Sequence, residues 1–285
     1  MTKTNSWWRD TWTAAIGALA VAAPAAAAPA KPTVIPLEPY LGQLWSFHAE
    51  LAGAPAVFLL DTAGGVSVVT PAAAGAAGCR PWGRVTGFRM RGGRLDAPRC
   101  DGLRLLASGV PLPIPTASVV DMSTFLPKDA PPLAGSVALD AFAGRLVTLD
   151  LAHRRLIVET PASFRARTRR AQEVPARFSR DVEGLALTPL IGVETREGRA
   201  WMELDCGSDG AAIVGRHVAP ALGLDPDHKG GQDVTLTLAG GRKVATRAGV
   251  DDLILDGNIG APLMRRWVVS FDLARQRVWI ADARP

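Results

Sequence analysis

Histidine, tyrosine and cysteine are scarce in this 285-residue chain, and the scarcity excludes several kinds of site. The four histidines stand far apart, without any of the spacings that zinc sites use. Aromatic residues make up only 6% of the chain and do not alternate with clustered lysines and arginines, as a nucleic-acid groove would require. The net charge of +5 therefore indicates a solvated basic surface, and we expect no nucleic-acid partner.

Signature motifs of other site classes are also missing. Ser67 is not followed by glycine two residues later, so it does not lie in a nucleophile elbow. The glycine-rich stretches lack the lysine of a phosphate-binding loop. Residues 225–230 loosely resemble a calcium loop, but Lys229 stands where an oxygen ligand is needed and no acidic residue closes the loop. We therefore expect neither a metal nor an organic cofactor.

Residues 1–30 have the pattern of a secretory signal peptide. Lys3 and Arg9 precede an apolar stretch over residues 14–23, and small residues that suit a signal peptidase follow. The apolar stretch is shorter than a membrane span needs, and an uncleaved N-terminal anchor is the alternative. No later segment is long enough to cross a bilayer. We expect export to a bacterial periplasm or beyond, with no stable membrane span after signal cleavage.

The rest of the chain contains an internal repeat. An apolar run ends in Asp61 in the first half and in Asp205 in the second, and each aspartate begins a turn of small residues. Residues 133–158 match residues 255–280 without a gap at an offset of 122, whereas the two aspartates are 144 residues apart. The chain is long enough for two domains that each bury a core. The repeat therefore predicts two related lobes.

The two aspartates indicate acid/base chemistry. A carboxylate at the end of a buried strand is costly unless backbone amides and hydroxyl groups donate hydrogen bonds to it. One such carboxylate in each half suggests a pair, Asp61 with Asp205, that meets between the lobes and shares a proton.

An apolar strand ending in Asp-Thr/Ser-Gly, a hairpin flap, and an apolar-apolar-Gly segment before a short helix form a layout that resembles retropepsin-like and pepsin-like aspartic proteases, in their single-chain, two-lobed bacterial form. The resemblance covers nearly all of the chain after residue 30. It implies an all-β fold with short helices, in which two pseudo-symmetric acid-protease-like barrel lobes enclose the active site. It also implies an exported endopeptidase that needs no cofactor and cleaves peptide or unfolded protein substrates as a monomer.

The resemblance assigns roles to individual residues. Asp61 and Asp205 would be the catalytic pair that holds the attacking water. Thr62 would reach across to the opposite loop, and Gly207 and Ser208 would donate hydrogen bonds to Asp205. The loops that support the pair would comprise Thr62, Ala63, Gly64, Cys206, Gly207, Ser208 and Gly260.

Some residues depart from the family pattern. Ala63 replaces a glycine, Gly64 stands where alanine or serine is usual, and Cys206 replaces a threonine or serine whose hydroxyl is a better donor than a thiol. Ala138 stands where the second half has Gly260. These departures keep two alternatives open: a non-catalytic peptide-binding protein on a degenerate protease scaffold, and two unrelated β-domains whose aspartates never meet.

The strand-like runs repeat between the halves, with glycine- and proline-rich turns between them. We expect, in each half, a hairpin that ends at the aspartate, a flap hairpin, and short helices. The predicted strands are residues 41–51 with 56–61, 85–91 with 94 onward, 185–195 with 199–205, and 233–238 with 242–247, and the predicted helices after the aspartates are residues 71–77 and 216–221. The predicted domains are a lobe at 31–160, a linker at 161–175 and a lobe at 176–285.

Cysteine and arginine leave two further questions open. Cys79 and Cys100 could close a disulfide worth roughly 3 kcal/mol, or both could be reduced and buried. Cys206 is left over, and a neighbouring carboxylate disfavours its thiolate, so we do not expect a nucleophilic cysteine. The linker is rich in arginine; it is interpreted as a solvated face, with docking of an acidic partner as the alternative.

Overall fold

The computed structural model describes residues 31–283, which form a β-rich protein with short helices. The first half contains β1 (Thr33–Pro36), β2 (Glu38–Tyr40), β3 (Leu44–Leu51), β4 (Ala54–Leu60), β5 (Val68–Val69), β6 (Trp82–Phe88), β7 (Arg94–Ala107), β8 (Val110–Val119), β9 (Gly135–Val137), β10 (Leu146–Asp150) and β11 (Arg155–Val158). The second half contains β12 (Gln172–Val174), β13 (Ala176–Ser179), β14 (Thr188–Thr195), β15 (Gly198–Asp205), β16 (Ala212–Gly215), β17 (Gln232–Leu238), β18 (Lys243–Asp251), β19 (Gly257–Gly260), β20 (Trp267–Asp272) and β21 (Arg277–Asp282).

The helices are short and lie at the ends of strands. The α-helices are α1 (Pro71–Ala76), α2 (Pro161–Thr168), α3 (Asp181–Gly184) and α4 (Ala261–Met264), and the 3-10 turns are Met122–Thr124, Leu139–Phe142 and Ala219–Leu222. The helix predicted at 216–221 is thus wrong, because only the 3-10 turn forms there and Pro220 lacks the N–H that a helix interior needs. The strand predicted from residue 41 begins at Leu44, because Leu41 and Gly42 form a turn with positive φ.

Two sheets repeat the same strand pairing and form the two lobes. The first has the order β2-β3-β4-β9-β5-β8-β7-β6, and the second has the order β13-β14-β15-β19-β16-β18-β17. In each lobe the strand that leads to the aspartate runs parallel to a short glycine-containing strand, β9 or β19. That short strand is antiparallel to the strand after the aspartate turn, β5 or β16. The predicted fold of two pseudo-symmetric, acid-protease-like lobes is confirmed.

A third sheet joins the halves. Its order is β1-β11-β10-β20-β21-β12, so each half supplies three strands. At its centre β10 and β20 pair antiparallel, with Thr148 opposite Ser270 and their hydroxyl oxygens 2.9 Å apart. These two residues are separated by the repeat offset of 122, which places the pseudo-twofold axis between them.

The predicted linker, residues 161–175, is structured. Thr160 caps α2 in a capping box with Ser163, Pro161 occupies the first turn, and β12 then joins the third sheet beside β21. The segment connects the lobes as part of the shared sheet. The exact domain boundaries stay a prediction.

A disulfide joins Cys79 to Cys100, which ties the segment after α1 to β7. No helix within residues 31–283 is both long enough and apolar enough to cross a membrane. The predicted signal peptide, residues 1–30, lies outside the described residues.

Candidate functional site

The structure brings Asp61 and Asp205 together between the lobes. Each follows the strand predicted to carry it, Asp61 after β4 and Asp205 at the end of β15. The two carboxyl groups lie close enough that each affects the pKa of the other. The loops approach so closely that a Cβ added to Gly207 would lie 2.7 Å from Cγ of Asp61. The alternative of two unrelated domains whose aspartates never meet is thereby excluded.

Backbone amides from the two turns hold the carboxylates. The amide of Ala63 donates to Oδ1 of Asp61 at 3.0 Å, and the amide of Gly207 donates to Oδ1 of Asp205 at 2.8 Å. Asp205 has one more donor, because Nδ2 of Asn258 lies 2.7 Å from its Oδ2. The pair is therefore asymmetric, with Asp205 the better stabilised carboxylate.

The two active turns also grip each other through buried hydrogen bonds. Oγ1 of Thr62 donates to the carbonyl of Leu204 at 2.6 Å and accepts from the amide of Cys206 at 3.0 Å. In return, Sγ of Cys206 donates to the carbonyl of Leu60 at 3.3 Å. Burial raises the pKa of the Cys206 thiol far above neutral, so the thiol stays protonated and serves as a donor.

Glycine is required at several positions of this region because neighbouring backbone segments approach each other closely. A Cβ on Gly260 would lie 1.9 Å from the carbonyl oxygen of Gly210, and one on Gly135 would lie 2.0 Å from that of Val68. A Cβ on Gly64 would lie 3.1 Å from Oδ2 of Asp61 and 3.4 Å from Cβ of Ala138. The structure thus accommodates Ala138, whereas Gly260 in the other lobe allows no side chain.

Burial raises the pKa of both aspartates, and the two groups titrate as a pair. Burial, and then the charge of Asp205, raises the pKa of Asp61 to about 7, although the amides of Ala63 and Gly64 oppose the rise. Burial also raises the pKa of Asp205, but Asn258 and the amide of Gly207 oppose this rise. The hydrogen bonds from Asn258 and Gly207 therefore favour ionisation at Asp205 over Asp61.

A third carboxyl group, Glu203, belongs to the same cluster and was missed by the sequence analysis. It lies two residues before Asp205 in β15, so both side chains point to the same face of the strand. Burial, and then the charges of Asp205 and Asp61, raises the pKa of Glu203 to about 8. The signal was present in the sequence as one glutamate within an otherwise apolar strand that leads to an aspartate.

Asn258 was also missed, because its role depends on pairing between distant strands. It is fully buried in β19 and lies opposite Glu203 in the parallel pairing of β15 with β19. Its Oδ1 has no hydrogen-bond partner, although its Nδ2 is bonded to Asp205.

Asp140 is a further buried acid, and it stabilises the loop that follows Asp61 in the first lobe. Its carboxylate accepts from the hydroxyl of Ser67 at 2.6 Å and from the amide of Ser67 at 3.0 Å. The Ser67 hydroxyl accepts in turn from the amide of Ala138. Burial raises the pKa of Asp140 to about 6. This network fixes the loop after Asp61 to the 3-10 turn at Leu139–Phe142.

The flap of the first lobe, the hairpin of β6 and β7, closes against the second lobe. The carbonyl of Met90 at its tip accepts from the amide of Ile254 at 2.9 Å. Nε of Arg91 lies 2.6 Å from a carboxylate oxygen of Asp251. Phe88 and Ile254, on the two sides of this contact, are large apolar residues with exposed fractions of 63% and 59%. The flap tip therefore contacts the second lobe beside two exposed apolar side chains.

A segment before β14 also packs against the first active turn. The amide of Leu187 donates to the carbonyl of Gly65 at 2.9 Å. Val182 and Leu185 pack on a small cluster that contains Val66 of the active turn and Val85 of the flap. The second lobe thus contributes to the wall of the cleft on the first-lobe side. Within residues 31–283 no group of His, Cys, Asp and Glu side chains has a geometry that could hold a metal ion.

Fold and site together define a two-lobed β-protein on an aspartic-protease-like scaffold. Solved structures of this fold are similar to the chain over almost its whole length. Basic 7S globulin from soybean is 12% identical with a TM-score of 0.60, and the match covers 90% of this chain and 96% of the globulin. Conglutin gamma, a basic 7S globulin from lupine seeds, is 11% identical with a TM-score of 0.58, and the match covers 89% and 95% of the two chains. At such low identity these matches show the fold alone.

The identification of the chain as a bacterial retropepsin-like or pepsin-like protease is wrong on these comparisons. No protein-family profile matches the sequence, and neither does any curated protein. The structures described above are basic 7S globulins rather than bacterial proteases. The resemblance misled because an Asp-Thr/Ser-Gly-like turn after an apolar strand is a property of the scaffold.

Proposed function

We propose that this protein binds extended peptide or unfolded polypeptide in the cleft between its lobes. The observation that carries the proposal is the flap contact between Met90 and Ile254, by which a hairpin of the first lobe reaches the second lobe, while Asp61 and Asp205 meet between the two lobes. A hairpin over a groove offers backbone groups to an extended chain, and the exposed side chains of Phe88 and Ile254 offer apolar contacts.

Binding is favoured over turnover by two features of the site. Ala63 and Cys206 depart from the protease pattern in both active turns. The pair also shares its buried environment with a third carboxyl group, Glu203. The structural similarity to seed globulins supports the scaffold and adds no protease activity.

The test is the affinity of the purified protein for a library of labelled extended peptides, measured by fluorescence anisotropy. Ile254→Ser and Phe88→Ser should weaken binding roughly tenfold each, because each removes a large apolar contact. Leu106→Ser is the matched control, since Leu106 is also exposed but lies at the opposite end of β7 from the flap tip. Equal loss in the control variant, or no binding by the parent protein, would contradict the proposal.

Peptide-bond hydrolysis is the second candidate, and the shared proton of Asp61 and Asp205 favours it. Ionised Asp205 would accept a proton from a water that attacks the peptide carbonyl, and protonated Asp61 would give its proton to the carbonyl oxygen. Digests of unfolded protein from acid to neutral pH test this reaction. Cleavage that disappears in both Asp61→Asn and Asp205→Asn, and that a statine-type inhibitor blocks, would support it. Cleavage that persists in both variants would exclude the pair as its source.

We also propose that the protein is exported and acts as a monomer. The N-terminal pattern of residues 1–30 supports export, and the presence of one aspartate in each lobe supports a complete site in a single chain. Fractionation of cells that express the full chain, and the mass of the purified protein in solution, test the two statements separately.

A further inference from the structure

In the part of the chain that the structure describes, the three-carboxyl cluster brings acidic groups together without a basic side chain beside them. Asp205 acts on Glu203 from the same strand, and Asp61 acts on it from the first lobe. β19 supplies neutral Asn258, and β14 supplies Leu190 opposite Glu203. Within residues 31–283, no lysine, arginine or histidine forms an ion pair with any member of the cluster, although sixteen ion pairs are formed elsewhere.

A second observation points to a missing donor. Oδ1 of Asn258 is buried and has no partner, although Nδ2 of the same side chain donates to Asp205. An unpaired buried acceptor costs about 1–3 kcal/mol, so native proteins rarely retain one without a reason. The donor required here is a proton on Glu203 or a cationic group that enters the cluster.

The cluster is specific to the second lobe. At the repeat offsets, Leu59 stands in place of Glu203, and Ser136 stands in place of Asn258. The scaffold therefore does not need an acid at this position, because the first lobe folds with leucine there. Glu203 is also partly exposed, and its spacing from Asp205 along β15 is about 7 Å. In a peptide bound across Asp205, a neighbouring side chain of the peptide would therefore lie near Glu203.

We propose that Glu203, with Asn258, forms a subsite that recognises a basic side chain, lysine or arginine, of the peptide bound in the cleft. The ligand cation replaces the proton that neutral Glu203 holds in the free protein, so binding releases this proton to the solvent. This inference rests on the proposed peptide-binding function and specifies which peptides the cleft prefers.

The experiment compares peptides that differ only by lysine or methionine at one position, scanned along the sequence. Isothermal titration calorimetry in buffers of different ionisation enthalpy, on either side of about pH 8, gives both the affinity and the protons released. With lysine at one position we expect roughly tenfold tighter binding than with methionine, because the lysine ammonium group makes a charged hydrogen bond to the carboxylate of Glu203. We also expect close to one proton to be released below pH 8 and fewer above it.

Variants of the chain separate recognition from folding. Glu203→Leu installs the residue of the first lobe, and Glu203→Gln keeps the size of the side chain. Both should lose the lysine preference and the proton release, so that the lysine and methionine peptides bind each variant with equal affinity. Glu50→Gln, at an exposed position in β3, is the matched control and should change neither.

The outcomes are distinct. Equal affinity for lysine and methionine peptides at every position, or a lysine preference that persists in Glu203→Leu, overturns the subsite while leaving peptide binding intact. Failure of all peptides to bind overturns the proposed function and the subsite together.

Discussion

At the residue scale, the site depends on a few buried hydrogen bonds that join segments more than 140 residues apart. The grip centred on Thr62 connects the two turns at their closest point. Cys206 fulfils the reciprocal role with a thiol, so one side of the grip is weaker than the other. Thr62 therefore contributes more than Cys206 to the contact between the two turns.

Thr62→Ala should lower the free energy of unfolding by about 2–3 kcal/mol, because the carbonyl of Leu204 and the amide of Cys206 would both remain buried without this partner. Urea unfolding followed by tryptophan fluorescence measures the change. Thr195→Ala is the control, since Thr195 bonds within an exposed hairpin turn and should change stability by less than about 0.5 kcal/mol. Similar effects of the two substitutions would show that the grip adds no stability.

The raised carboxyl pKa values predict that stability falls between pH 5 and pH 8. Asp140, Asp61 and Glu203 have folded-state pKa values of about 6, 7 and 8. Below these values the folded state holds protons that the unfolded chain has released, so rising pH favours unfolding. Urea midpoints across this range measure the fall, and Glu203→Gln should reduce its upper part. A midpoint that rises steadily from pH 5 to pH 8 would contradict the assignment.

At the element scale, the short strands β9 and β19 position the aspartates. Each passes between the strand that ends at the aspartate and the strand that follows its turn, and the close approach leaves no room for a Cβ at Gly135 in β9 or at Gly260 in β19. The glycines in these strands are needed for close backbone approach rather than for unusual φ angles. Gly260 has a φ of −89°, which any residue can adopt.

Gly260→Ala should destabilise the protein by about 3 kcal/mol or more, because its Cβ would lie 1.9 Å from the carbonyl oxygen of Gly210. Gly249→Ala is the matched control, since a Cβ there would meet nothing within 4 Å. Thermal unfolding of the two variants under the same conditions makes the comparison. If Gly260→Ala unfolded at the temperature of the control, the close approach beneath the active turn would be wrong.

At the scale of the whole molecule, the third sheet makes the two halves interdependent. β10 and β20 pair across the pseudo-twofold axis, and the linker contributes β12 to the same sheet. The lobes are therefore not independent domains on a flexible tether. Their fixed relation holds Asp61 and Asp205 in contact.

Residues 31–160 and 176–285 expressed separately should each fail to unfold cooperatively, because each would expose a sheet edge that the other half pairs in the full chain. Co-expression should yield a complex, with the loss of β12 weakening it. Analytical ultracentrifugation and circular dichroism of the halves, alone and mixed, measure this. Cooperative unfolding of either half alone would contradict the shared-sheet account.

The sequence by itself determined the duplication, the hairpin that leads to each aspartate and the position of each flap. These features depend on the local alternation of apolar and polar residues and on turn residues, and both patterns occur in each half of the chain. The sequence also predicted that Asp61 meets Asp205, but only the tertiary structure showed that Asn258 joins them. Strand register places Asn258 opposite Glu203, and its side chain bonds to Asp205. Neither of these two relations follows from spacing along the chain. Tertiary structure also placed β12 in a shared sheet, because pairing between distant strands depends on burial and geometry that local sequence does not encode.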